Sequence, residues 1–546
     1  MDSDSVSTIA SGASSPSCLS FSHSQSSNFS YDTPETARSI LIDHIAYEPI
    51  DVDDDAKYIL VVGGLGYIGS HTVLELLKEE YNVIIIDDLS NSYNGVFTRL
   101  KLLNEEIAKA AGRDKPSSLQ LFEVDYRSSS MSSILSRYST FDGCQSRSRI
   151  TGVIHFAAFK SVEESISKPI QYYQNNVCGM VDFLSRIQDF GIKNFVFSSS
   201  ATIYGSAANQ GSPLREEQCV HHPETYVDKD GHEQRVEQGV AGLTSPYGRT
   251  KWMCEAILAD IAKSDPTWSI TALRYFNPVG CHESGLLGEL PRQKPSNLMP
   301  VIANVLKGRS SVLEIFGTDW DTPDGTAVRD FIHVVDLARG HLAALRAAAD
   351  GKICHAFRTF NLGSGTGHTV REVVAAIGKA SEQTIPVREA ERRKGDVGFC
   401  VAQVDRSTTE LGWKTEKSLD DCAADLWNFT SAMLRSSGGP DELPDMPTIP
   451  QLSTPATSPV VTKGEELPEV VVRSIVGVSD EIDSCSLQHA EEQITKVKAE
   501  KAVSMVASEV ESLAENDVET LPISKEKNSA VVTVEPLPKV LVEMVN

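Results

Sequence analysis

From residue 58 onward, short apolar runs alternate with longer amphipathic stretches, and this alternation excludes most folds. The apolar runs are rich in β-branched and aromatic residues and too short for helices, which is typical of strands buried on both faces. Strands that alternate with helices form a parallel sheet covered on both sides. The sequence therefore predicts an α/β protein with a doubly wound parallel sheet. Its predicted strands are residues 58–63, 82–87, 119–124, 152–157, 194–199 and 269–276.

The alternation loosens after Phe276, where glycine- and proline-rich loops separate shorter elements up to residue 432. We therefore expect a main domain at residues 56–276 and a smaller C-terminal α/β lobe at residues 277–432, which would bind the substrate. Within the main domain, the polar residues 206–244 interrupt the pattern. This stretch predicts a long surface loop, inserted between "SSSATIYG" and "SPYGRTK".

Both ends of the chain differ in composition from the part between them. Residues 1–55 are serine-rich and contain a single basic residue, Arg38. After residue 435 the chain has twenty acidic and eight basic residues. Such segments bury too little apolar surface to offset their conformational entropy. We therefore predict a disordered N-terminal extension at 1–55 and a mostly disordered acidic tail at 433–546, which is a candidate docking segment for an unknown partner.

The charge and the cysteines restrict the class of protein. The formal net charge is -25 and the isoelectric point is about 5.0, which argues against a nucleic-acid partner. The ten cysteines contain no C-x-x-C pair, as expected for reduced thiols in the cytosol. No run of eighteen apolar residues indicates a membrane span. The sequence predicts a soluble, cytoplasmic protein without a membrane or nucleic-acid partner.

A glycine turn follows the first predicted strand and begins a helix. Gly63, Gly66 and Gly69 in "VVGGLGYIGSH" are spaced for a tight turn, a close backbone approach to a pyrophosphate, and helix–strand packing. The helix N-terminus then presents N–H groups to the phosphates. Asp87 ends the second strand, where its carboxylate can bind the adenosine ribose and repel a 2′-phosphate. These residues predict a Rossmann dinucleotide site that prefers NAD over NADP.

The motif "SPYGRTK" places Tyr247 and Lys251 one helical turn apart. Taken alone, the pair is more often an ordinary surface pair. Ligands of a doubly wound sheet bind at the carboxyl ends of the strands, so Ser200 at the end of the fifth strand should lie beside this pair. An ammonium and a positive nicotinamide would lower the tyrosine pKa. The three residues therefore predict a general base supported by a cation and a serine.

Three histidines lie in the inserted polar stretch. His221, His222 and His232 could suggest a metal site, but no set of four ligands with zinc spacing accompanies them. We therefore expect solvated loop histidines and no metal.

Beyond these motifs, residues 57–432 contain many stretches in the order typical of one family. They include "GYIGSH", "HFAAFKSVEESISKP", "NFVFSSSATIYG", "SPYGRTK", "LRYFNPVG", "DGTAVRDFIHVVDLARGH" and "RRKGDVG". The chain thus resembles the extended short-chain dehydrogenase/reductase family and, within it, the UDP-glucose 4-epimerases. The resemblance implies interconversion of UDP-glucose and UDP-galactose in galactose metabolism, through a transient 4-keto sugar and tightly bound NAD.

The resemblance also implies roles for individual residues. Tyr247, Lys251 and Ser200 correspond to the catalytic set. The implied NAD contacts, besides the three glycines, are Tyr67, Ile68, Asp87, Asn91, Ser92, Asp125, Tyr126, Phe156, Ala157, Lys160, Asn175 and Phe276. The implied substrate contacts are Asn277, Asn297, Leu298, Arg329, Arg393, Asp396 and Cys400, with both arginines on the diphosphate.

The chain departs from many bacterial members of the family at Cys400, where they have a tyrosine against the sugar. A smaller side chain leaves room for a 2-acetamido group, so we predict that UDP-GlcNAc and UDP-GalNAc are also interconverted. The alternative is that Cys400 is a small core residue and a neighbour fills the gap. The family also implies a homodimer, built from the helices predicted near residues 172–189 and 247–263.

Two other functions share features with this sequence. A sugar-nucleotide 4,6-dehydratase shares the fold, but its family has an Asp-Glu pair where this chain has Ala201 and Thr202. A non-catalytic NAD-sensing regulator would be expected to lose Tyr247 or Lys251, and both are present. The sequence therefore favours the epimerase.

Overall fold

A computed structural model describes residues 56–435, except 143–144, 228–230, 241, 293–294, 296 and 394. The predicted disorder of residues 1–55, and of the acidic tail from residue 436, lies outside the described residues. Residues 433–435, which we assigned to that tail, form the last turn of the helix Leu419–Arg435.

A seven-stranded parallel sheet forms the centre of the described chain, which confirms the predicted fold class. All six predicted strands are present, each within two residues of its expected bounds. A seventh strand, Phe357–Leu362, extends the sheet by pairing with Ser269–Tyr275. In spatial order the strands are Phe357–Leu362, Ser269–Tyr275, Asn194–Ser200, Ile150–His155, Tyr58–Val62, Asn82–Asp87 and Leu119–Glu123.

Helices cover both faces of this sheet. Along the first strand, Leu60 packs into one hydrophobic cluster and Val61 into the other, because successive side chains of a strand point to opposite faces. Both faces are therefore apolar. The helices are Tyr67–Lys78, Asn94–Ala110, Ser130–Arg137, Val162–Ser167, Pro169–Tyr172, Gly179–Asp189, Pro246–Ser264, Leu298–Leu306, Val334–Ala349, Val370–Ser381, Asp405–Leu411 and Leu419–Arg435, with a π-helix at Tyr173–Cys178 and 3₁₀ helices at Ala201–Asn209 and Glu216–Gln218.

A second, smaller group of strands packs on its own hydrophobic cluster. The strand Val328–His333 is its centre, and its neighbours are Asn277–Val279 and Phe399–Cys400, which run parallel to it, and Gly367–Thr369, which runs antiparallel. The remaining strand pairs are Leu313–Phe316 with Val387–Ala390, Ser139–Asp142 with Gln145–Ser148, and Glu224–Val227 with Glu233–Val236.

The chain crosses back to the first sheet after the second lobe has begun. The strand Phe357–Leu362 belongs to the first sheet, although its residues fall in the range that we assigned to the second lobe. The helix Val334–Ala349 likewise contacts the helix Tyr67–Lys78 and two strands of the first sheet. A single division at residue 276 therefore does not separate the two sheets, and the boundaries of the lobes stay a prediction.

The inserted residues 206–244 are not simply the surface loop that we predicted. Leu214 is fully buried and bridges to Ala402, and Cys219 and Glu216 are buried as well. Residues 231–235 and 237–239 are exposed, as expected of a surface loop. The expectation fails for the part around residues 214–220, because its polar composition was equated with exposure, whereas Glu216 is buried there and its carboxylate accepts from the Asn361 N–H.

No helix within the described ranges has the length and apolar character needed to cross a membrane. The seven cysteines in those ranges all have free thiols.

Candidate active site

The glycine turn has the geometry that its spacing predicts. Gly63 has a φ of +79°, which favours glycine, and its N–H donates to the carbonyl of Ile86 at 2.7 Å. The N–H of Gly66 donates to the Gly63 carbonyl at 3.2 Å. A Cβ at Gly69 would lie only 2.2 Å from that same oxygen. The turn therefore needs glycine at its first and last positions, where backbone segments approach too closely for a side chain.

The helix that follows the turn can receive an anion at its N-terminus. Gly66 begins this helix, and no side chain among the described residues caps its first turn. First-turn N–H groups have no partner within their own helix, and the helix dipole favours a negative charge there. The backbone of Tyr67 and Ile68 lies in this turn. The Tyr67 hydroxyl donates to the Gly280 carbonyl at 2.7 Å, so its side chain ties the turn to the second lobe.

Asp87 joins the second strand to the glycine turn. Its carboxylate accepts hydrogen bonds from the N–H groups of Leu65 at 2.9 Å and Leu89 at 3.0 Å, and from the Ser92 hydroxyl at 2.6 Å. Burial raises the Asp87 pKa, while these hydrogen bonds oppose that rise. Asn91 in the same loop is exposed. Asp87 and Ser92 are thus held together at the carboxyl edge of the sheet, where a ribose can be bound.

Of three further predicted NAD contacts, Tyr126 and Asn175 are hydrogen-bonded to each other, and Asp125 pairs with another residue. The Tyr126 hydroxyl donates to the backbone carbonyl of Asn175 at 2.7 Å, which brings these two together. Asp125 is instead ion-paired to Arg127 at 2.6 Å. Burial raises the Tyr126 pKa, so its hydroxyl remains a hydrogen-bond donor.

Two of the remaining predicted cofactor residues border the glycine turn. The N–H groups of Phe156 and Ala157 both donate to the Val62 carbonyl, at 2.8 Å and 3.2 Å. Lys160 is more exposed and lies 3.2 Å from a carboxylate oxygen of Glu289. Glu289 was not predicted, and no motif in the sequence indicates it.

Tyr247 lies at the start of the helix Pro246–Ser264, where Pro246 is the first residue and the Ser245 hydroxyl caps the Gly248 N–H at 3.2 Å. The Tyr247 phenol is buried and hydrogen-bonds to Ser200. The Ser200 hydroxyl also accepts from the Thr202 hydroxyl at 3.0 Å. Thr202 therefore extends the hydrogen-bonded set by one residue whose role the sequence did not reveal.

The pKa of Tyr247 is raised, whereas we expected it to be lowered. Burial raises it to about 12, and the hydrogen bond with Ser200 opposes that rise only in part. The expected lowering of the Tyr247 pKa is wrong for the protein without a bound cofactor. It considered the charge of Lys251 and left out the removal of the phenol from solvent. Removing a phenolate from water disfavours its charged form.

Lys251 lies one helical turn beyond Tyr247 and is also buried. Its ammonium donates to the Ser198 carbonyl at 2.5 Å and lies 4.7 Å from the centre of the Phe197 ring. Burial lowers the Lys251 pKa to about 8. The side chain is therefore held under the strand that ends in Ser200, and it is still mostly charged at neutral pH.

Cys400, a predicted substrate contact, lies in the same hydrophobic cluster as Phe276, a predicted NAD contact. Ala201, next to Ser200 along the chain, belongs to this cluster too. Cys400 is the strand neighbour of Arg329, whose guanidinium donates to the Val397 carbonyl at 2.6 Å. The Asn277 amide donates to the Asp330 carbonyl at 3.0 Å.

Arg393 and Asp396 are joined to each other by an ion pair of 2.9 Å. The Arg393 guanidinium also lies 4.8 Å from the ring centre of Phe316, which is half-buried at the end of its strand. Phe316 was missed at the sequence level, although an aromatic residue at a strand end was the available signal. Asn297 begins the helix Leu298–Leu306 and donates weakly to Glu289 at 3.4 Å, while Leu298 packs against the second lobe's core.

Comparison with known proteins adds to this geometry. The model of the NAD dependent epimerase/dehydratase family matches residues 59–363. UDP-glucose 4-epimerase 2 of Arabidopsis thaliana is 42% identical over 376 residues, which are 69% of this chain and 95% of the plant protein. UDP-glucose 4-epimerase of Homo sapiens is 41% identical over 375 residues, 68% of this chain and 96% of the human protein. The crystal structure of UDP-glucose 4-epimerase from Bifidobacterium longum, in complex with NAD+ and UDP, matches with a TM-score of 0.57 and 38% identity, covering 69% of this chain and 98% of that one.

Proposed function

The chain belongs to the NAD dependent epimerase/dehydratase family, and from this premise we propose that it interconverts UDP-glucose and UDP-galactose by inverting carbon 4 of the sugar. The observation that carries the proposal is the position of the Tyr247 phenol. It is hydrogen-bonded to Ser200 at the carboxyl end of a central strand, one helical turn from the buried ammonium of Lys251. The Arabidopsis thaliana and Homo sapiens proteins, which are UDP-glucose 4-epimerases, are matched over 95% and 96% of their length.

NAD, when bound, accepts the hydride from sugar carbon 4 and returns it to the same carbon. The described residues fit this cofactor, because the glycine turn leads into a helix N-terminus that has no side-chain cap and can receive a pyrophosphate. Asp87 and Ser92 would hold the adenosine ribose, and the Asp87 carboxylate would disfavour a 2′-phosphate. Asp125 and Tyr126 would line the adenine edge, and Asn175 would make a further NAD contact.

Tyr247 would take the proton from the hydroxyl on carbon 4 as that carbon is oxidised. Ser200 can hydrogen-bond the same hydroxyl and hold it at the phenol oxygen. A phenol whose pKa is about 12 is a poor base at neutral pH, so the positive charge of Lys251 would be needed to favour the phenolate. Tyr247 would then return the proton to the ketone oxygen of the 4-keto sugar.

Inversion requires that the ketone present its opposite face before it is reduced. The nucleotide must therefore be held more firmly than the hexose. Arg329 and Arg393 are suited to the diphosphate, since a guanidinium binds phosphate oxygens in pairs. Asp396 would accept from the uridine ribose, and the half-buried ring of Phe316 beside Arg393 offers a face on which the base can stack.

The proposed substrate range includes UDP-GlcNAc and UDP-GalNAc. Cys400 lies near the predicted sugar side, in the same cluster as Phe276. Its side chain is smaller than a tyrosine, which supports a pocket with room for an acetamido group. Asn277, Asn297 and Leu298 complete the proposed substrate contacts.

A homodimer is also proposed. Of the seven large apolar side chains exposed among the described residues, five lie between residues 159 and 253. Ile166, Ile170 and Met253 are on three helices that pack beside one another, and Val181 is on a helix that follows the π-helix Tyr173–Cys178, which packs on two of these three. A cluster of exposed apolar side chains is typical of an interface, and a second copy of the same helices would cover it.

The function is tested by incubating the purified protein with UDP-galactose, and separately with UDP-GalNAc, without added NAD. We expect UDP-glucose and UDP-GlcNAc to form, and NAD to be released when the protein is denatured. If UDP-galactose is recovered unchanged from a preparation that releases stoichiometric NAD, the proposed reaction is wrong. If no NAD is released on denaturation but added NAD restores product formation, the proposed reaction is supported and the proposed tight binding of NAD is wrong.

A further inference from the structure

A buried charge cluster lies directly behind the proposed catalytic residues. At its centre, the carboxylate of Glu255 is fully excluded from solvent. It accepts from the Arg274 guanidinium at 2.8 Å and 3.2 Å, and from the Ser199 hydroxyl. Burial alone would raise the Glu255 pKa, but Arg274 and the hydrogen bonds lower it to about 2. Glu255 is therefore an anion at neutral pH.

The Arg274 guanidinium also donates to the Tyr204 hydroxyl at 3.0 Å, and the inserted segment supplies further partners of this cluster. His221 Nε2 lies 2.9 Å from a carboxylate oxygen of Glu255, and it must donate, because an ionised carboxylate only accepts. The Arg274 guanidinium also donates to the backbone carbonyls of Cys219 at 2.7 Å and Glu216 at 3.2 Å. Residues that we expected to be solvated thus close the cluster.

Two members of the cluster are neighbours of catalytic residues. Glu255 follows Lys251 by one turn of the same helix, and Ser199 precedes Ser200 in the same strand. The cluster therefore joins the catalytic helix to the catalytic strand. We propose that Glu255 is a positioning residue for Lys251 and Ser200, and that His221 of the inserted segment holds Glu255 in place. This proposal rests on the epimerase function proposed above.

A second consequence is electrostatic. Lys251 faces Cys254 and Glu255 on its own helix, His155 on the strand Ile150–His155, and Tyr247 one turn back. The pKa of Cys254 is raised to about 12 and that of His155 is lowered to about 3, so both are neutral, as is Tyr247. Among these four groups only Glu255 is charged at neutral pH. Its anion opposes the loss of the Lys251 proton that burial favours.

His221 variants give the first test, with epimerisation of UDP-galactose as the assay. His221→Ala should lower kcat by about 10-fold with little change in KM or in bound NAD, because the positions of Lys251 and Ser200 change and the substrate contacts do not. His221→Gln, whose amide can still donate to the carboxylate, should restore most of the rate. The matched control is His222→Ala, since His222 contacts Asp260 on the surface side and should behave as wild type.

Glu255→Gln gives the second test, because it keeps the shape and removes the charge. The alkaline limit of kcat, where Lys251 loses its proton, should move to lower pH by about one pH unit. An unchanged rate and pH profile in both His221→Ala and Glu255→Gln, with only a lower melting temperature, would overturn the proposal and leave the cluster a structural anchor. If Glu255→Gln does not fold, the kcat values of His221→Ala and His221→Gln test the proposal by themselves. An inactive wild type would instead refute the epimerase function itself.

Discussion

The ammonium of Lys251 lies 2.5 Å from the backbone carbonyl oxygen of Ser198, in the strand whose last residue is Ser200. This hydrogen bond holds a charged side chain inside the protein before any ligand is present. Burial of a charge is unfavourable, and the cost is visible in the lowered Lys251 pKa of about 8. The chain thus keeps a destabilising charge where the proposed chemistry needs it.

Replacing that charge should stabilise the protein in a pH-dependent way. The Lys251 pKa falls from 10.5 when unfolded to about 8 when folded, which corresponds to about 3 kcal/mol. Below pH 8, Lys251→Met should therefore have the larger free energy of unfolding. As the pH rises from 8 toward 10.5, the unfolded wild type binds a proton that the folded protein has lost, so wild-type stability rises and the difference shrinks. Chemical denaturation of both proteins between pH 7 and pH 10 measures this, and a difference that does not vary with pH contradicts it.

Tyr247→Phe should abolish the reaction and leave the fold intact. The substitution removes the proposed proton acceptor and its hydrogen bond with Ser200, so kcat should fall by about 10³-fold. Bound NAD should remain, since the phenol does not lie in the glycine turn. The control is Tyr226→Phe in the inserted hairpin, which should keep its rate. A Tyr247→Phe protein that epimerises at the wild-type rate would rule out the proposed base.

Gly69→Ala should damage the cofactor site. Its new Cβ would lie 2.2 Å from the Gly63 carbonyl oxygen, so the turn or the helix must move, at a cost of about 1–3 kcal/mol. We expect a lower melting temperature and loss of the NAD that is released on denaturation. Gly239→Ala is the matched control, because open space surrounds that position. Full NAD content in Gly69→Ala would show that the turn is not essential.

Cys400→Tyr tests the proposed substrate range. A tyrosine at this position would fill the space left for an acetamido group, so conversion of UDP-GalNAc should fall by about 10-fold or more while UDP-galactose is still converted. Cys400→Ser, of nearly equal size, should keep both activities. If Cys400→Tyr affects the two substrates equally, Cys400 is a packing residue and the wider-pocket hypothesis is wrong.

Ile170→Glu should disrupt the proposed homodimer. Ile170 is 70% exposed on the helix face that a second copy would cover, and a carboxylate buried in an apolar interface is unfavourable. Size-exclusion chromatography with light scattering should show a dimer for the wild type and a monomer for the variant at micromolar concentration. Val387→Glu, an equivalent change in the smaller lobe, should remain dimeric. A monomeric wild type would contradict the dimer directly.

The sequence predicted six of the seven strands in the main sheet. The seventh, Phe357–Leu362, was missed because of its composition. Phe357–Leu362 contains Arg358, Thr359 and Asn361, which break the apolar run expected of a buried strand. These side chains have partners far away along the chain. Asn361, for example, donates to the Leu214 carbonyl in the insertion at 2.8 Å. The hydrophobic periodicity of one strand contains no information about such distant partners.

The positions of the three catalytic residues could be predicted from the sequence, but the pKa of Tyr247 could not. The spacing of Tyr247 and Lys251, and the place of Ser200 at a strand end, follow from local periodicity. The raised pKa of Tyr247 does not, because it depends on how completely the fold excludes water. Comparison with relatives confirms the expected family and the NAD-dependent epimerase fold. It does not test the individual site residues, which stay predictions.

Local spacing along the chain was enough to determine the alternating strands and helices, the glycine turn, and the one-turn separation of the tyrosine and the lysine. These features depend on backbone geometry that repeats every two or 3.6 residues. Only the tertiary structure decided that His221 meets Glu255, 34 positions later, and that Arg274 joins them. Burial and long-range pairing arise when distant segments exclude water together, and no short stretch of sequence contains that information.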